Sequence, residues 1–268
     1  MDLSHELSIA THLAQEAGRM ALSLRPQLMV SYKPHGQGPV TNVDHAISTF
    51  LCQELAAAFP HDRIISEEGG EDHGVDVAEG RTWFIDPIDG TTALVAGTDD
   101  FVVMIGLAID GIARLGVIYQ PTANLLWRGQ NGHAERFHNG SSTKLTVVQK
   151  APHRLRIIAS ISHASLRQKA MIRALSPSQI IQRSSIGLKA MLILDDEADF
   201  YVAWSKSIKL WDTCAPCAII NAAGGYIASI DEKPLLFLGA LSHGKPIIIA
   251  RSQPSRDTFN ILKNIAQA

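Results

Sequence analysis

The stretch Trp83-Phe84-Ile85-Asp86-Pro87-Ile88-Asp89-Gly90-Thr91-Thr92 organises the reading of everything around it. Trp83, Phe84 and Ile85 are bulky, strand-favouring residues and predict a buried strand. That strand is expected to end abruptly in two carboxylates, Asp86 and Asp89, because Pro87 cannot donate to a ladder. Gly90 lets the backbone turn close to a ligand, and such a turn can offer successive N–H groups to a phosphate. Hard oxygen donors at this density suit Mg²⁺, which binds through a few carboxylates together with substrate phosphate. An acidic turn with a helix cap uses the same residue types, so the stretch by itself leaves both readings open.

Three further segments carry acids at comparable places. Ser66-Glu67-Glu68-Gly69-Gly70 sets a carboxylate pair just after a short predicted strand, Arg63-Ile64-Ile65-Ser66. Trp211-Asp212-Thr213 places an acid at the start of an apolar helix, and Asp44 heads another. Each has a structural alternative. Asp212 could serve as an N-cap, and Glu67 and Glu68 could belong to a solvated loop. No spacing rule brings the four segments together.

Outward from this stretch, residues 7–24 place Leu7, Leu13, Ala17, Met20, Ala21 and Leu24 on one helical face. Ser31 to Val43 reads as a loop, with Lys33, Pro34, Gly36, Gly38 and Pro39, and a second helix then runs from Asp44 until Pro60 stops it. Phe101–Ile109 and Ala113–Tyr119 flank Asp110-Gly111, a hairpin signal, and Leu125-Leu126-Trp127 follows another turn. Polar, Gly/Ser-rich text at residues 139–152 marks the expected boundary between an N-terminal half, 1–145, and a C-terminal half, 146–268. In the second half the pattern predicts strands at 156–161, 199–203, 226–230 and 246–250. It predicts helices at 166–175, 188–194, 212–223 and 256–265, with Gly224-Gly225 as a stop. The mixture is α+β or layered α/β, and periodicity takes the fold no further.

Composition narrows the functional classes. The chain has 268 residues, 46% hydrophobic and 19% charged, which suits a folded protein with a substantial core. A formal net charge of −2 gives no basic footprint for a nucleic acid polymer. The apolar runs are too short for an integral membrane segment, and the first residues lack a signal-peptide pattern, so a cytoplasmic location is expected. Three cysteines argue against a disulfide framework. Cys214-Ala215-Pro216-Cys217 has the C-x-x-C form, but no second ligand pair or redox context accompanies it, and small buried residues are the better expectation.

Val40-Thr41-Asn42-Val43-Asp44, Ser66-Glu67-Glu68, Trp83 through Thr92, Trp211-Asp212-Thr213 and Ala222-Ala223-Gly224-Gly225 together resemble the inositol monophosphatase family, lithium-sensitive Mg²⁺-dependent phosphatases. The resemblance covers most of the chain. It implies an α+β fold, a layered αβαβα sandwich with the active site between its halves. It also implies that Glu67, Asp86 and the Ile88 carbonyl hold one Mg²⁺, that Asp86, Asp89 and Asp212 hold a second, and that Glu67 touches a third. Li⁺ would inhibit. Asp44 and Thr91 would activate the attacking water, and the Gly90 and Thr91 N–H groups would hold the phosphate. Members of such a family often form homodimers.

The second half carries text that bears on the substrate. Ser160-Ile161-Ser162-His163 resembles a Ser-Arg-Ser-His segment of bacterial 3′(2′),5′-bisphosphate nucleotidases, with Ile161 at the arginine position. Ser184-Ser185-Ile186-Gly187-Leu188-Lys189 resembles their Gly-Ser-Ser-Leu-Lys stretch with an altered order. The expected partner is a small phosphorylated metabolite, with Asp89, Gly90, Thr91, Ser162, His163, Lys189 and Asp212 contacting it. Lys189 would neutralise a second phosphate. The first expectation is cleavage of the 3′-phosphate of adenosine 3′,5′-bisphosphate; an inositol or broad sugar phosphate is the alternative, and a metal-binding module without catalysis a third class.

Overall fold

Apolar residues on one side of α1 (Ser4–Leu24), among them Leu7, Ala10, Leu13, Ala14, Ala17 and Ala21, are buried, as the spacing predicts. A computed structural model describes residues 1–33, 38–69, 76–148, 154–161, 165–206 and 208–267. After α1 come two short antiparallel strands, β1 (Val30–Tyr32) and β2 (Pro39–Thr41), in the stretch expected to be loop. Helix α2 (Asn42–Ala58) starts from a capping box: Thr41 accepts from Val43 N and Asp44 N, and Asp44 accepts from the Thr41 backbone.

Seven strands then form one sheet: β3 (Arg63–Ser66), β4 (Arg81–Asp89), β5 (Val102–Ile109), β6 (Ile112–Gln120), β7 (Leu125–Gln130), β8 (His133–His138) and β9 (Ser141–Leu145), paired in that order. A short helix, α3 (Thr91–Val95), sits between β4 and β5. β4 does not end at Asp86 as expected. It runs through Pro87 to Asp89, with its register against β5 shifted between Asp86 and Asp89, and the irregularity absorbs the missing N–H of Pro87. Asp110 and Gly111 both take positive φ, 50° and 75°, as a tight hairpin turn requires.

The second sheet has the order β11-β10-β12-β14-β13. Its strands are β10 (Arg156–Ser160), β11 (Gln179–Arg183), β12 (Phe200–Ala203), β13 (Tyr226–Ser229) and β14 (Ile247–Ala250). Between and after them lie α4 (Leu166–Leu175), α5 (Ile186–Leu194), α6 (Cys214–Ala222) and α7 (Arg256–Gln267). The helix expected from Asp212 begins two residues later, with Thr213 at its N-cap, so Asp212 is not a cap.

Strand alternation sorts the side chains into layers. Trp83, Ile85, Val103 and Ile105 face α1 and α2, sharing a core with Leu13, Ile47 and Leu51. Phe84, Val102 and Met104 point the other way, into a core with Met191 of α5 and Ile219 of α6. Ile247 and Ile249 of the second sheet join that same central core. Ile248, Phe200 and Val202 face outward to Met171 of α4 and Phe259 and Leu262 of α7. The result is a five-layer αβαβα sandwich. Each such fully buried aliphatic or aromatic side chain contributes roughly 1.5–3 kcal/mol.

The start of α6 lies close against the first sheet. Gly106 pairs with Gly116 across β5 and β6, and Gly116 pairs with Gly129 across β6 and β7. A Cβ on Gly116 would stand 2.3 Å from the Ala215 carbonyl oxygen, and one on Gly106 would stand 2.6 Å from Ala215 N. This stripe seats the first turn of α6 against the sheet and thereby fixes where Asp212 emerges. Among the described residues no helix is long and apolar enough to cross a membrane.

Candidate active site

β3 and β4 are parallel, with Ser66 opposite Ile85, so their carboxyl ends reach the same edge of the sheet. Glu67 N donates to Ile85 O at 3.1 Å, which sets Glu67 beside Asp86. Asp44 comes from the first turn of α2, and Asp89, Gly90 and Thr91 from the end of β4 and the start of α3. Asp212 precedes α6, where Lys209 N donates to its Oδ2 at 2.7 Å.

The four acidic segments, which no spacing rule joins, act on one another's charge. The carboxyl of Asp86 is pushed well above the ordinary range, first by burial and then by the charges of Glu67, Asp89, Asp212 and Asp44. Asp212 is likewise pushed well up by burial and by Glu67 and Asp89, while the Lys209 N–H and ammonium oppose the shift. Burial also raises Asp89, although Ser185 Oγ, the Gly187 N–H and the Lys189 charge favour its ionised form. All four acidic segments therefore lie within reach of one another's charge.

Hydrogen bonds fix the orientation of most of these groups. Thr91 Oγ1 donates to Asp44 Oδ1 at 2.9 Å and lies 3.1 Å from the Ile88 carbonyl. The other Asp44 oxygen accepts from Thr41 N at 2.9 Å and from the Thr41 hydroxyl. Burial still raises the Asp44 carboxyl against these bonds. Asp89 Oδ2 accepts from Ser185 Oγ and from Gly187 N, both at 2.6 Å. Gly90 takes φ 106°, and a Cβ there would stand 2.6 Å from the Asp100 carbonyl oxygen, so only glycine fits the turn.

Positive charge enters from Lys33. Its Nζ lies 2.6 Å from Glu67 Oε1 and 2.6 Å from Glu68 Oε1. Burial pulls the ammonium down, yet the two carboxylates outweigh it and hold its pKa above the ordinary value. Glu67 nevertheless stays raised, because burial and the charges of Glu68 and Asp44 together exceed the attraction of one lysine. Among the described residues, no three His, Cys, Asp or Glu side chains are already gathered into a ligand shell. The donor set does fit a hard divalent cation. It is all oxygen, it repels itself, and Asp86 Oδ1 is buried without a hydrogen-bond partner among the described residues.

Lys189, expected as a phosphate contact, lies in the first turn of α5. It is only 3% exposed. Its ammonium donates to Ser160 Oγ and to Ser184 O, both at 2.9 Å, and approaches Tyr201 Oη at 3.5 Å. Ser162 and His163 lie outside the described residues. Cys214 and Cys217 are buried and free, and burial holds both thiols protonated, that of Cys217 up to about 12. A cavity of about 570 Å³ borders the turn at Thr92, Asp100, Ser184 and Leu188. None of the five converging carboxylates lines it, so the chemistry is assigned to the carboxylates and not to this cavity.

Two participants were not singled out from the sequence. Ser185 and Gly187 hold Asp89, and the signal for Ser185 was a hydroxyl residue heading an apolar helix. Glu68 and Lys33 form a paired charge that a loop lysine and a doubled glutamate only suggest.

The model of the inositol monophosphatase family matches residues 2–259. The chain belongs to that family, a family of phosphatases. It is 32% identical over 222 residues to the 3′(2′),5′-bisphosphate nucleotidase CysQ of Buchnera aphidicola, covering 80% of this chain and 81% of that one. It is 29% identical over 240 residues to the inositol-1-monophosphatase of Bacillus subtilis, covering 86% and 87%. The solved IMPase of Thermotoga maritima superposes with a TM-score of 0.81 at 22% identity, covering 98% of both chains, which establishes the common fold.

Proposed function

We propose that the chain is a Mg²⁺-dependent phosphomonoesterase that releases the 3′-phosphate of adenosine 3′,5′-bisphosphate. Its site lies between an N-terminal half, 1–145, and a C-terminal half, 146–268. The observation that carries the hydrolytic reading is the hydrogen bond from Thr91 to Asp44 beside the converging carboxylates. The fit to the nucleotide rests on the Ser160–His163 and Ser184–Lys189 segments and on the similarity to CysQ.

Glu67, Asp86, the Ile88 carbonyl, Asp89 and Asp212 would hold Mg²⁺. When bound, the cation supplies charge stabilisation for the phosphoryl group and lowers the pKa of water. The chain's own residues do the rest. Gly90 and Thr91 N–H groups hold the phosphoryl oxygens where negative charge develops. The Asp44–Thr91 pair orients a water on the phosphorus and takes its proton. The new bond is water oxygen to phosphorus, the ester P–O bond breaks, and the leaving alkoxide takes a proton from solvent while the pair releases the one it took, with no phosphoenzyme. A single turnover in heavy-oxygen water that left no label in the phosphate would sink this.

Two observations favour a second reading. Lys189 is buried and its ammonium is already hydrogen-bonded, and Ile161 stands where an arginine was expected. Both remove charge that a second phosphate would use, which suits an inositol or sugar monophosphate. The test is phosphate release in Mg²⁺ from adenosine 3′,5′-bisphosphate and from inositol 1-phosphate. A higher kcat/KM on the nucleotide supports the first reading, and a higher value on inositol phosphate replaces it with the second. Loss of turnover in Asp89→Asn with folding retained separates an enzyme from a cation-binding module; Li⁺ inhibition is expected as well.

A further inference from the structure

The turn between β11 and α5 is pinned at several points. Ser184 N donates to Asp100 Oδ2, while Ser185 Oγ caps α5 by accepting from Leu188 N at 3.0 Å. From the same turn, Ser185 Oγ and Gly187 N both reach Asp89 Oδ2. Lys189 sits in the first turn of α5 and folds back, so that its Nζ meets the Ser184 carbonyl. Its other contacts are Ser160 Oγ at the end of β10 and Tyr201 of β12, whose ring centroid is 5.0 Å away.

We infer that Lys189 is a positioning residue: by holding the Ser184 carbonyl to the second sheet, it sets the turn whose Ser185 and Gly187 donors orient Asp89, and it does not touch the substrate. The inference rests on the reading of Asp89 as a cation ligand. An ammonium has three hydrogens, and three described acceptors surround this one. All three are neutral, so the lysine forms no ion pair with them, and a buried charge of this kind persists only when its hydrogen bonds are met. Its field is used nonetheless, because it favours the ionised forms of Asp89 and Asp100. The chain of contacts runs from Ser160 and Tyr201 on one sheet, through Lys189 and the turn, to Asp89 on the other. Partners behind a ligand of this kind commonly change metal affinity or activity by 10- to 100-fold when removed.

The experiment titrates Mg²⁺ calorimetrically into substrate-free protein, for wild type, Lys189→Met, Ser185→Ala and the double variant. Lys189→Met is expected to weaken Mg²⁺ binding by about tenfold. It should also lower kcat on adenosine 3′,5′-bisphosphate and on inositol 1-phosphate by a common factor, with KM nearly unchanged. In the Ser185→Ala background its effect should largely vanish, since both act on one carboxylate. Should Lys189→Met not fold, Ser160→Ala removes one of the three acceptors of the ammonium and is expected to weaken Mg²⁺ binding by about threefold, less than the roughly 10- to 100-fold for losing a whole partner. Unchanged Mg²⁺ affinity in the folded variant overturns the inference. So does a loss confined to KM for the bisphosphate, which would make Lys189 a substrate contact and strengthen the nucleotide reading. A wild type inactive on the bisphosphate would overturn that reading alone, because the Mg²⁺ titrations do not depend on the substrate.

Discussion

Thr91 donates its hydroxyl hydrogen to Asp44 Oδ1 at 2.9 Å, joining two residues 47 positions apart. Thr41 saturates the other Asp44 oxygen from within the same helix cap, so the carboxylate is held in one orientation with one oxygen committed to Thr91. A water replacing or extending that contact would find a base already aimed. Thr91→Val removes the hydroxyl while keeping the shape. It is expected to lower kcat by roughly 10²–10⁴-fold, the range for positioned proton transfer, because the pair that handles the water's proton is broken. Thr91→Ser should recover most of it. Steady-state kinetics checks this, and a Thr91→Val enzyme within about threefold of wild type would remove the pair from the mechanism.

The glycine stripe predicts a purely steric effect on Asp212. In Gly116→Ala the new methyl would meet the Ala215 carbonyl at 2.3 Å, backbone that cannot swing aside. Helix α6 must lift from the sheet, carrying Asp212 with it. Overpacking of this kind costs about 1–3 kcal/mol. Denaturant unfolding should show that loss, and Mg²⁺-dependent activity should fall with it. Full activity together with full stability would mean that α6 does not set the position of Asp212.

A pH effect follows from His243. Its Nε2 lies 2.8 Å from Thr213 Oγ1, and its ring packs edge-on to Phe237. Burial pushes its pKa down from 6.5 to about 4. Below pH 6.5 the unfolded chain takes up a proton that the folded one refuses, so stability is lost as pH falls from there toward 4. At about 1.4 kcal/mol per pKa unit, and allowing for the partial exposure of the ring, the loss is on the order of 2 kcal/mol. Other groups titrate in the same range, so the difference between wild type and His243→Gln isolates the term. The variant should lose less stability across that window; parallel curves would refute the assignment.

What could be read in the sequence follows burial. Strands β4, β5 and β6 were legible because their residues are apolar and their turns carry Asp-Gly or Gly signals. Strand β9 was not, since Ser141, Ser142, Thr143 and Lys144 are exposed on an edge and are held by pairing with β8. β11 is likewise an edge strand of mostly exposed residues, and β1 has none buried. The acidic site was legible as a set of segments, because carboxylates that end strands leave a local mark. Their meeting was not, since it depends on β3 lying parallel to β4 and on α6 pressing into the glycine stripe. The burial of Lys189 was not legible for a related reason. A lysine looks exposed by type, yet Leu188, Ala190 and Met191 around it are all buried, and a helix apolar on every side belongs in a core.

The self-repulsion of the carboxylates sets activity against stability. Asp86 is buried, its Oδ1 has no hydrogen-bond partner among the described residues, and four neighbouring acids oppose its charge. In the absence of a divalent cation that charge destabilises the fold. Asp86→Asn keeps the shape and removes both the charge and the repulsion. The metal-free variant is therefore expected to be more stable than metal-free wild type, by about 1–3 kcal/mol, the scale of relieving one poorly compensated buried group. Mg²⁺ should raise the unfolding temperature of the wild type, because a ligand that binds only the native state stabilises it by mass action. It should do so far less in Asp86→Asn, whose activity should be lost. Thermal melts of both proteins, with chelator and with excess Mg²⁺, give the four values required. A metal-free variant less stable than the wild type would mean that the Asp86 carboxylate is compensated inside the protein, and the pressure for a cation at this site would disappear with it.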